Sequence, residues 1–138
     1  MQKFTIPFRL PSLNEYIEAC RRNPHAGAKL KRDTDDVIKL CIMDAKLKPV
    51  ELPCIVHMVF TEPNRRRDVD NVESAKKYIL DSLTGYGVLR GDGPKWVVGV
   101  PSYTEYGNPG KVDVTIREDQ DAERLREILR NAAKTQEV

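Results

Sequence analysis

The sequence predicts a single α+β domain in which helices flank a mixed β-sheet. The chain has 138 residues, a length that one domain accommodates. Hydrophobic periods typical of strands and of helices follow one another in the order β-α-α-β-α-β-β-α. No internal repeat or low-complexity tract divides the chain. We therefore expect residues 1–138 to form one domain.

The first half of the chain predicts one strand followed by two helices. Alternation in KFTIPF indicates the strand. Ser12 is a candidate N-cap, and Glu15 three residues later completes a capping box. Pro24 and Gly27 are expected to break this first helix, and a second helix is expected over about residues 29–46. The apolar face of the first helix is expected to comprise Leu13, Tyr16, Ile17 and Cys20.

The second half begins with the continuous apolar run CIVHMVF, residues 54–60, which predicts a central strand. A third helix is expected over about residues 70–83, with Gly85 as its stop signal. The glycine-rich segment GVLRGDGP is a loop. KWVVGVPSY and KVDVTIRE predict two strands joined through a turn in TEYGNPG. Asp119 or Asp121 then caps a final amphipathic helix.

Composition excludes several classes of protein. The net charge is only +2, from 23 basic and 21 acidic residues, which is too small for a non-specific DNA-binding protein. The three cysteines are odd in number and widely spaced, which argues against a disulfide framework or a zinc ribbon. No apolar run approaches the ~20 residues of a membrane span, and the opening MQKFTIPFRL lacks a signal-peptide core. We expect a cytoplasmic protein with no membrane partner.

Asp68 and Asp70 form a D-x-D pair between the central strand and the third helix. In an extended segment, residues two apart point to the same side, so both carboxylates can face one cation. Mg²⁺ usually takes one or two carboxylates together with waters and substrate phosphate. A divalent ion would also offset the repulsion between two neighbouring carboxylates. The pair is therefore a candidate metal site.

Simpler roles for this segment stay open. Asp70 or Asn71 is a good N-cap, although a cap needs only one of them. An EF-hand is excluded, because the glycine and the glutamate of its calcium loop are missing. The D-x-D pair also occurs in metal-dependent glycosyltransferases, whose nucleotide-sugar domains are much longer than this chain.

Basic residues flank the aspartates. The guanidinium groups of the preceding RRR run either neutralise the aspartates in a solvated loop or bind phosphate oxygens beside a metal ion. Lys77, two predicted helical turns after Asp70, either pairs with Glu73 or stabilises charge on a phosphate. Lys76 points in a different direction and ranks second. Asp92 is either a turn residue between two glycines or a further carboxylate of the site.

The stretches RRRDVDNVESAKKYILDSL and VLRGDGPKWV together resemble the signature of the RusA-type Holliday junction resolvases, small endodeoxyribonucleases common in prophages. That signature has one or two basic residues, then D-x-D-N, a helix with a lysine before a D-x-L stretch, and an aspartate in the next loop. PSLNEYIEACRRNPHAGAKLKR is similar to the N-terminal region of the family's Gram-positive and prophage branch. The likeness covers about residues 5–115 and excludes the C-terminal helix and tail, residues 119–138.

The resemblance implies an enzyme of DNA recombination and repair, an Mg²⁺-dependent homodimer that nicks four-way DNA junctions symmetrically. Asp68, Asp70 and Asp92 match the metal-binding carboxylates of the family, and Lys77 matches its catalytic lysine. Mn²⁺ is expected to substitute for Mg²⁺. The side chains expected to contact DNA are Arg65, Arg66, Arg67, Asn71 and Lys76.

The chain departs from the family pattern at two places. The stretch between D-x-D-N and the lysine is longer than in the best-known member, so the choice of Lys77 over Lys76 rests on its spacing to the D-x-L stretch. Many members carry paired aspartates where this chain has Gly91 and Asp92. The alternative function is a non-catalytic branched-DNA-binding protein derived from such a nuclease.

Overall fold

One mixed sheet lies between helices on both of its faces in the computed structural model, which describes residues 1–136. This confirms the predicted α+β class and, closely, the predicted order of elements. In chain order the elements are β1 (Gln2–Ile6), α1 (Leu13–Arg22), α2 (Pro24–Asp44), β2 (Cys54–Glu62), α3 (Val69–Glu73), α4 (Lys76–Gly85), β3 (Val97–Gly99), β4 (Ser102–Tyr106), β5 (Lys111–Glu118) and α5 (Ala122–Gln136).

β2 is the central strand, as its continuous apolar sequence predicts. It pairs antiparallel with β5, which pairs antiparallel with β1 at one edge. On its other side β2 pairs in parallel with β3 and then with β4, up to Glu62 opposite Tyr106. KWVVGVPSY therefore forms two strands and not one. Pro101 interrupts it, because proline has no N–H to donate and only its carbonyl joins the ladder, accepting a bond from Met58 N.

The hydrophobic core lies on the face of the sheet that carries α2 and α4. Met58 of β2 is fully buried there with Ile38 and Ile79 of the two helices. Because side chains alternate along a strand, Ile55 and His57 of β2 point to the opposite face. α5 covers that face in part, leaving a cavity of about 500 Å³ between itself and the sheet.

α1 is capped as predicted, but its expected apolar face is not its buried face. The Ser12 hydroxyl accepts a hydrogen bond from Glu15 N at 3.2 Å. Leu13 and Ile17 are solvent exposed, and Ala19 is the residue of the helix that is buried. The periodicity of this helix therefore predicted its existence but not its orientation.

α2 begins earlier than expected. Asn23 caps it by accepting hydrogen bonds from His25 N and Ala26 N, and Pro24 takes the first helical position, where its missing N–H costs nothing. Gly27, expected in the break between the helices, lies inside α2 and packs so closely on α1 that a side chain there would collide with a cysteine of α1.

The single helix expected over residues 70–83 is two helices, α3 and α4, which are separated at Ser74 and Ala75. The Ser74 hydroxyl donates to the Asn71 carbonyl at 2.6 Å, and Ala75 N–H bonds to the carbonyl three residues back. Both bonds favour a tighter turn than the α-helix. Lys77 therefore lies in the first turn of a new helix.

α5 begins where the sequence places its cap. The Asp121 carboxylate accepts hydrogen bonds from Glu123 N and Arg124 N, and Leu125 one turn later is fully buried. Of the helices within residues 1–136, none combines the length and the hydrophobicity that crossing a bilayer requires.

Candidate active site

Asp68 and Asp70 lie after β2 at the start of α3, as expected from the sequence, but Asp70 is helical. The two residues therefore do not share the extended segment that was expected to turn both carboxylates to one side. Asp68 occupies the N-cap position of α3 in extended conformation, but its carboxylate makes no capping hydrogen bond. Both side chains are exposed, and neither has a hydrogen-bond or ion-pair partner within the part of the chain that the structure describes. The two carboxylates are therefore free to bind a cation from solvent.

The side-chain amide of Asn71, a residue of α3, caps the N-terminus of α1. Its Oδ1 accepts a hydrogen bond from Asn14 N at 3.0 Å, and the Ser74 hydroxyl accepts one from Leu13 N at 3.1 Å. Together with the bond from Glu15 N to its own N-cap, these contacts satisfy the first free amides of α1. Asn71 was expected at the DNA interface, and its side chain is already occupied by capping.

The three arginines of the RRR run differ in their contacts. The guanidinium of Arg67 donates to the Leu10 carbonyl at 3.0 Å and to Glu15, and its side chain is only 17% exposed. Arg65 lies over the ring of Tyr106, with 3.9 Å between Cζ and the ring centre. Arg66 is exposed, and its side chain has no partner among the described residues. Arg65 and Arg66 remain available to a ligand, whereas Arg67 is held by the protein.

A buried glutamate at the end of β2 stabilises this arrangement. Glu62 is 4% exposed and accepts two hydrogen bonds from Arg9, at 3.1 Å from Nε and 2.8 Å from Nη2. The hydrogen bond and the charge of Glu62 raise the pKa of Arg9, so the guanidinium stays protonated. Arg67 approaches the same carboxylate at 3.9 Å. A side chain at Gly110 would occupy the space of Arg9, so glycine is required there.

This ion-pair network was missed by the reasoning from sequence. Arg9 lies between β1 and α1, and Glu15 lies in α1. Glu62 ends β2, and Arg67 lies in the loop after it, so no local spacing in the sequence reveals the network. The one available signal was a glutamate at the end of an otherwise apolar strand. Because Arg67 directly precedes Asp68, the network fixes the backbone that carries the D-x-D pair.

Lys77 joins a second pair of carboxylates. Its Nζ lies 3.0 Å from Asp81 Oδ1 and 3.6 Å from Asp92 Oδ2. The hydrogen bond and the charge of Asp81, with a smaller contribution from Asp92, raise the pKa of Lys77 above its ordinary value. The ammonium therefore stays protonated at neutral pH. It is suited to stabilise negative charge and not to accept a proton.

In the described part of the chain, the side chains of Glu73 and Lys76 form no hydrogen bond or ion pair with the group around Lys77. Glu73, the alternative partner of Lys77, instead accepts hydrogen bonds from Ser102 and Thr104 and fixes α3 to β4. Lys76 is half-buried and has no hydrogen bond or ion pair among residues 1–136. Of the predicted site residues, the structure thus brings Lys77 and Asp92 together, and Asp81 joins them.

The donor set fits Mg²⁺ as a two-carboxylate site. No group of three or more His, Cys, Asp or Glu side chains within the described residues lies close enough together to hold a metal ion. Mg²⁺ needs only one or two carboxylates when waters and substrate phosphate complete its shell, and Asp68 and Asp70 supply two. The participation of Asp92 as a third ligand stays a prediction.

The candidate groups are therefore the unpaired carboxylates of Asp68 and Asp70, the protonated Lys77 in the helix that follows α3, and the exposed Arg65 and Arg66 in the loop before α3. This combination is suited to binding a phosphodiester and stabilising charge on it. No protein-family model matches the sequence, and no curated protein matches it.

Proposed function

We propose that the protein is a structure-selective endodeoxyribonuclease of the RusA type, which requires Mg²⁺ and nicks four-way DNA junctions at paired symmetric positions. The observation that carries this proposal is the placement of two exposed, unpaired carboxylates, Asp68 and Asp70, one short helix before the protonated Lys77. A cation site and fixed positive charge would both favour hydrolysis of a phosphodiester, because negative charge develops on the phosphate oxygens.

Each group then has a distinct role. Asp68 and Asp70 would hold Mg²⁺, with Asp92 as the proposed third ligand; Mn²⁺ would substitute. An ion held there would provide a water of lowered pKa and would polarise the scissile phosphate. Lys77, kept protonated by Asp81, stabilises the developing charge. Addition of water across the P–O bond leaves a 5′-phosphate and a 3′-hydroxyl.

The remaining basic residues differ in whether their side chains are available to bind DNA. Arg65 and Arg66 are exposed and would bind phosphates on either side of the scissile bond, and Lys76 is a further candidate. Arg67 is bound by Glu15 and Glu62, so its role would be to position the neighbouring Asp68. A homodimer would present two equivalent sites to the two equivalent strands of a junction.

The second candidate is a non-catalytic branched-DNA-binding protein derived from such a nuclease. The observation in its favour is that the carboxylates do not form a three-membered cluster within residues 1–136. Against it, a protein that only binds DNA gains nothing from unpaired acids beside phosphate, because they repel the backbone.

Purified protein incubated with a synthetic mobile four-way junction and Mg²⁺ or Mn²⁺ tests the proposal. The expected result is paired nicks that disappear in EDTA and in Asp70→Asn. Asp36→Asn, which removes an exposed acid of α2, is the matched control and should cut like the wild type. Absence of nicks with either ion, or nicks that persist in Asp70→Asn, would overturn the nuclease. Tight junction binding without cutting would favour the second candidate.

A further inference from the structure

The loop between α4 and β3 carries two cations that sequence reasoning did not single out. Arg90 and Lys95 lie on either side of Asp92 in the chain, and both are exposed. Asp92 contacts Lys77 at 3.6 Å, so this loop adjoins the candidate catalytic lysine.

Both cations are held against one aromatic ring. Arg90 Cζ and Lys95 Nζ each lie 5.0 Å from the ring centre of Trp96, which is half-buried. The backbone that carries this ring is fixed, because the Trp96 carbonyl accepts a hydrogen bond from Cys54 N of β2 at 2.9 Å, and Trp96 N donates to the Gly93 carbonyl. Such cation–π contacts orient a positive charge without neutralising it.

Within the described residues, neither Arg90 nor Lys95 forms an ion pair. By contrast, Lys77 is paired with Asp81, and Arg67 with Glu15. Two like charges beside one ring repel each other, and a bound polyanion would relieve that repulsion. Since their side chains are already ordered, less conformational entropy is lost when they bind.

We infer that Arg90 and Lys95, ordered by Trp96, form a DNA-backbone contact that flanks the candidate active site. The inference rests on the proposed function for the identity of the polyanion, which is branched DNA. The expected contacts are to phosphates next to the one that Lys77 would engage, and they carry no sequence preference.

Binding of a fluorescently labelled four-way junction in EDTA, followed by anisotropy between about 50 and 200 mM salt, measures these contacts without cleavage. Arg90→Gln/Lys95→Gln should bind roughly tenfold more weakly or worse, and its log K against log salt should be less steep by about 0.9 for each lost phosphate contact. Arg90→Lys/Lys95→Arg keeps both charges and should bind nearly as the wild type does. Lys3→Gln/Lys48→Gln removes two exposed, unpaired cations at the opposite edge of the sheet and should leave the salt slope unchanged.

The chain has a single tryptophan, so its fluorescence reports directly on this loop. Titration of the wild type with unlabelled junction should change the tryptophan emission over the same concentrations at which the labelled junction shows binding by anisotropy. The change should be lost in Arg90→Gln/Lys95→Gln, whose far-ultraviolet circular dichroism and thermal midpoint should remain those of a folded protein. An unaltered salt slope in this variant, or tryptophan emission that does not respond to bound junction, would overturn the inference.

The two proposals fail in different ways. Nicking by the wild type together with an unaltered salt slope in Arg90→Gln/Lys95→Gln would remove the loop contact and leave the nuclease. A reduced slope together with no nicking under Mg²⁺ or Mn²⁺ would support the loop contact and remove the nuclease.

Discussion

The two carboxylate pairs of this protein differ in what balances their charge. Asp68 and Asp70, before and within α3, have no partner in residues 1–136. Asp81 and Asp92, at α4 and in the loop after it, share the ammonium of Lys77. All four residues are aspartates, so the residue type alone does not reveal this difference in charge balance. The first pair has no cation in the described part of the protein, whereas Lys77 contacts both members of the second, so Asp92 would have to leave Lys77 or share it in order to join a metal ion.

The largest expected effect would come from exchanging acids for amides in one pair at a time. Asp68→Asn/Asp70→Asn should lower Mg²⁺-dependent nicking by at least about a hundredfold, because the charge that stabilises the transition state would be lost with the ion. Mn²⁺ binding measured by electron paramagnetic resonance should be lost in parallel. Asp81→Asn should retain Mn²⁺ binding. Equal losses of bound Mn²⁺ in both variants would contradict the distinction between the pairs.

Removing the internal cation comes next. Lys77→Gln should reduce nicking by about tenfold to a hundredfold, since one group that stabilises developing charge is gone. Its thermal midpoint should hardly change, because Lys77 is 69% exposed and exposed ion pairs contribute little to stability. Lys77→Arg should recover part of the activity. A large loss of thermal stability in Lys77→Gln would instead assign the residue a structural role.

The network that supports the first pair should affect stability more than Lys77 does. Glu62→Gln should lower the free energy of unfolding by about 1 to 2 kcal/mol, because Arg9 would keep its charge and lose half of a part-buried bidentate pair. Urea denaturation measures this change. Glu105→Gln, on the neighbouring strand and exposed, is the control and should lie within about 0.5 kcal/mol of the wild type. If Glu62→Gln unfolds with the same free energy as the wild type, the network does not stabilise the loop that carries Arg67.

The smallest expected effect is on stability at alkaline pH and concerns Tyr86, at the end of the helix that carries Asp81. The Tyr86 hydroxyl donates to Asp35 at 2.6 Å, which raises the pKa of Tyr86 to about 12 from its ordinary 10.0. A raised pKa means that the folded state holds the proton more tightly, so this contribution is complete below pH 10 and is lost as the pH rises towards 12. Thermal melts over this range should show a smaller alkaline decline for Tyr86→Phe than for the wild type. Tyr103→Phe, an exposed tyrosine, should decline as the wild type does.

What the sequence could predict followed from local signals. The continuous run of β2, the cap at Ser12 and the position of the D-x-D pair between strand and helix are each encoded within a few neighbouring residues. The side-chain hydrogen bonds of Arg67 and Asn71 are with partners more than fifty positions away. A one-dimensional pattern does not contain them, so the RRR run was treated as one group although its members have different roles.

The break between α3 and α4 also depended on distant partners. Ser74 accepts from Leu13 N while it donates to the Asn71 carbonyl, and only the tertiary packing of α1 makes that double role favourable. The spacing from Asp70 to Lys77 in a regular helix was therefore a misleading guide to geometry. Asp92 was expected beside Asp68 and Asp70 as a metal ligand, and its contact with Lys77 was not part of that expectation.

The shared cap of α1 gives the candidate site a built-in reporter. The amide hydrogens of Leu13 and Asn14 are held by Ser74 and Asn71, on the same short stretch as Asp70. They exchange with solvent deuterium only when α1 and α3 separate. An ion that orders α3 should therefore slow isotope exchange at two amides of a different helix, where no ligand is bound.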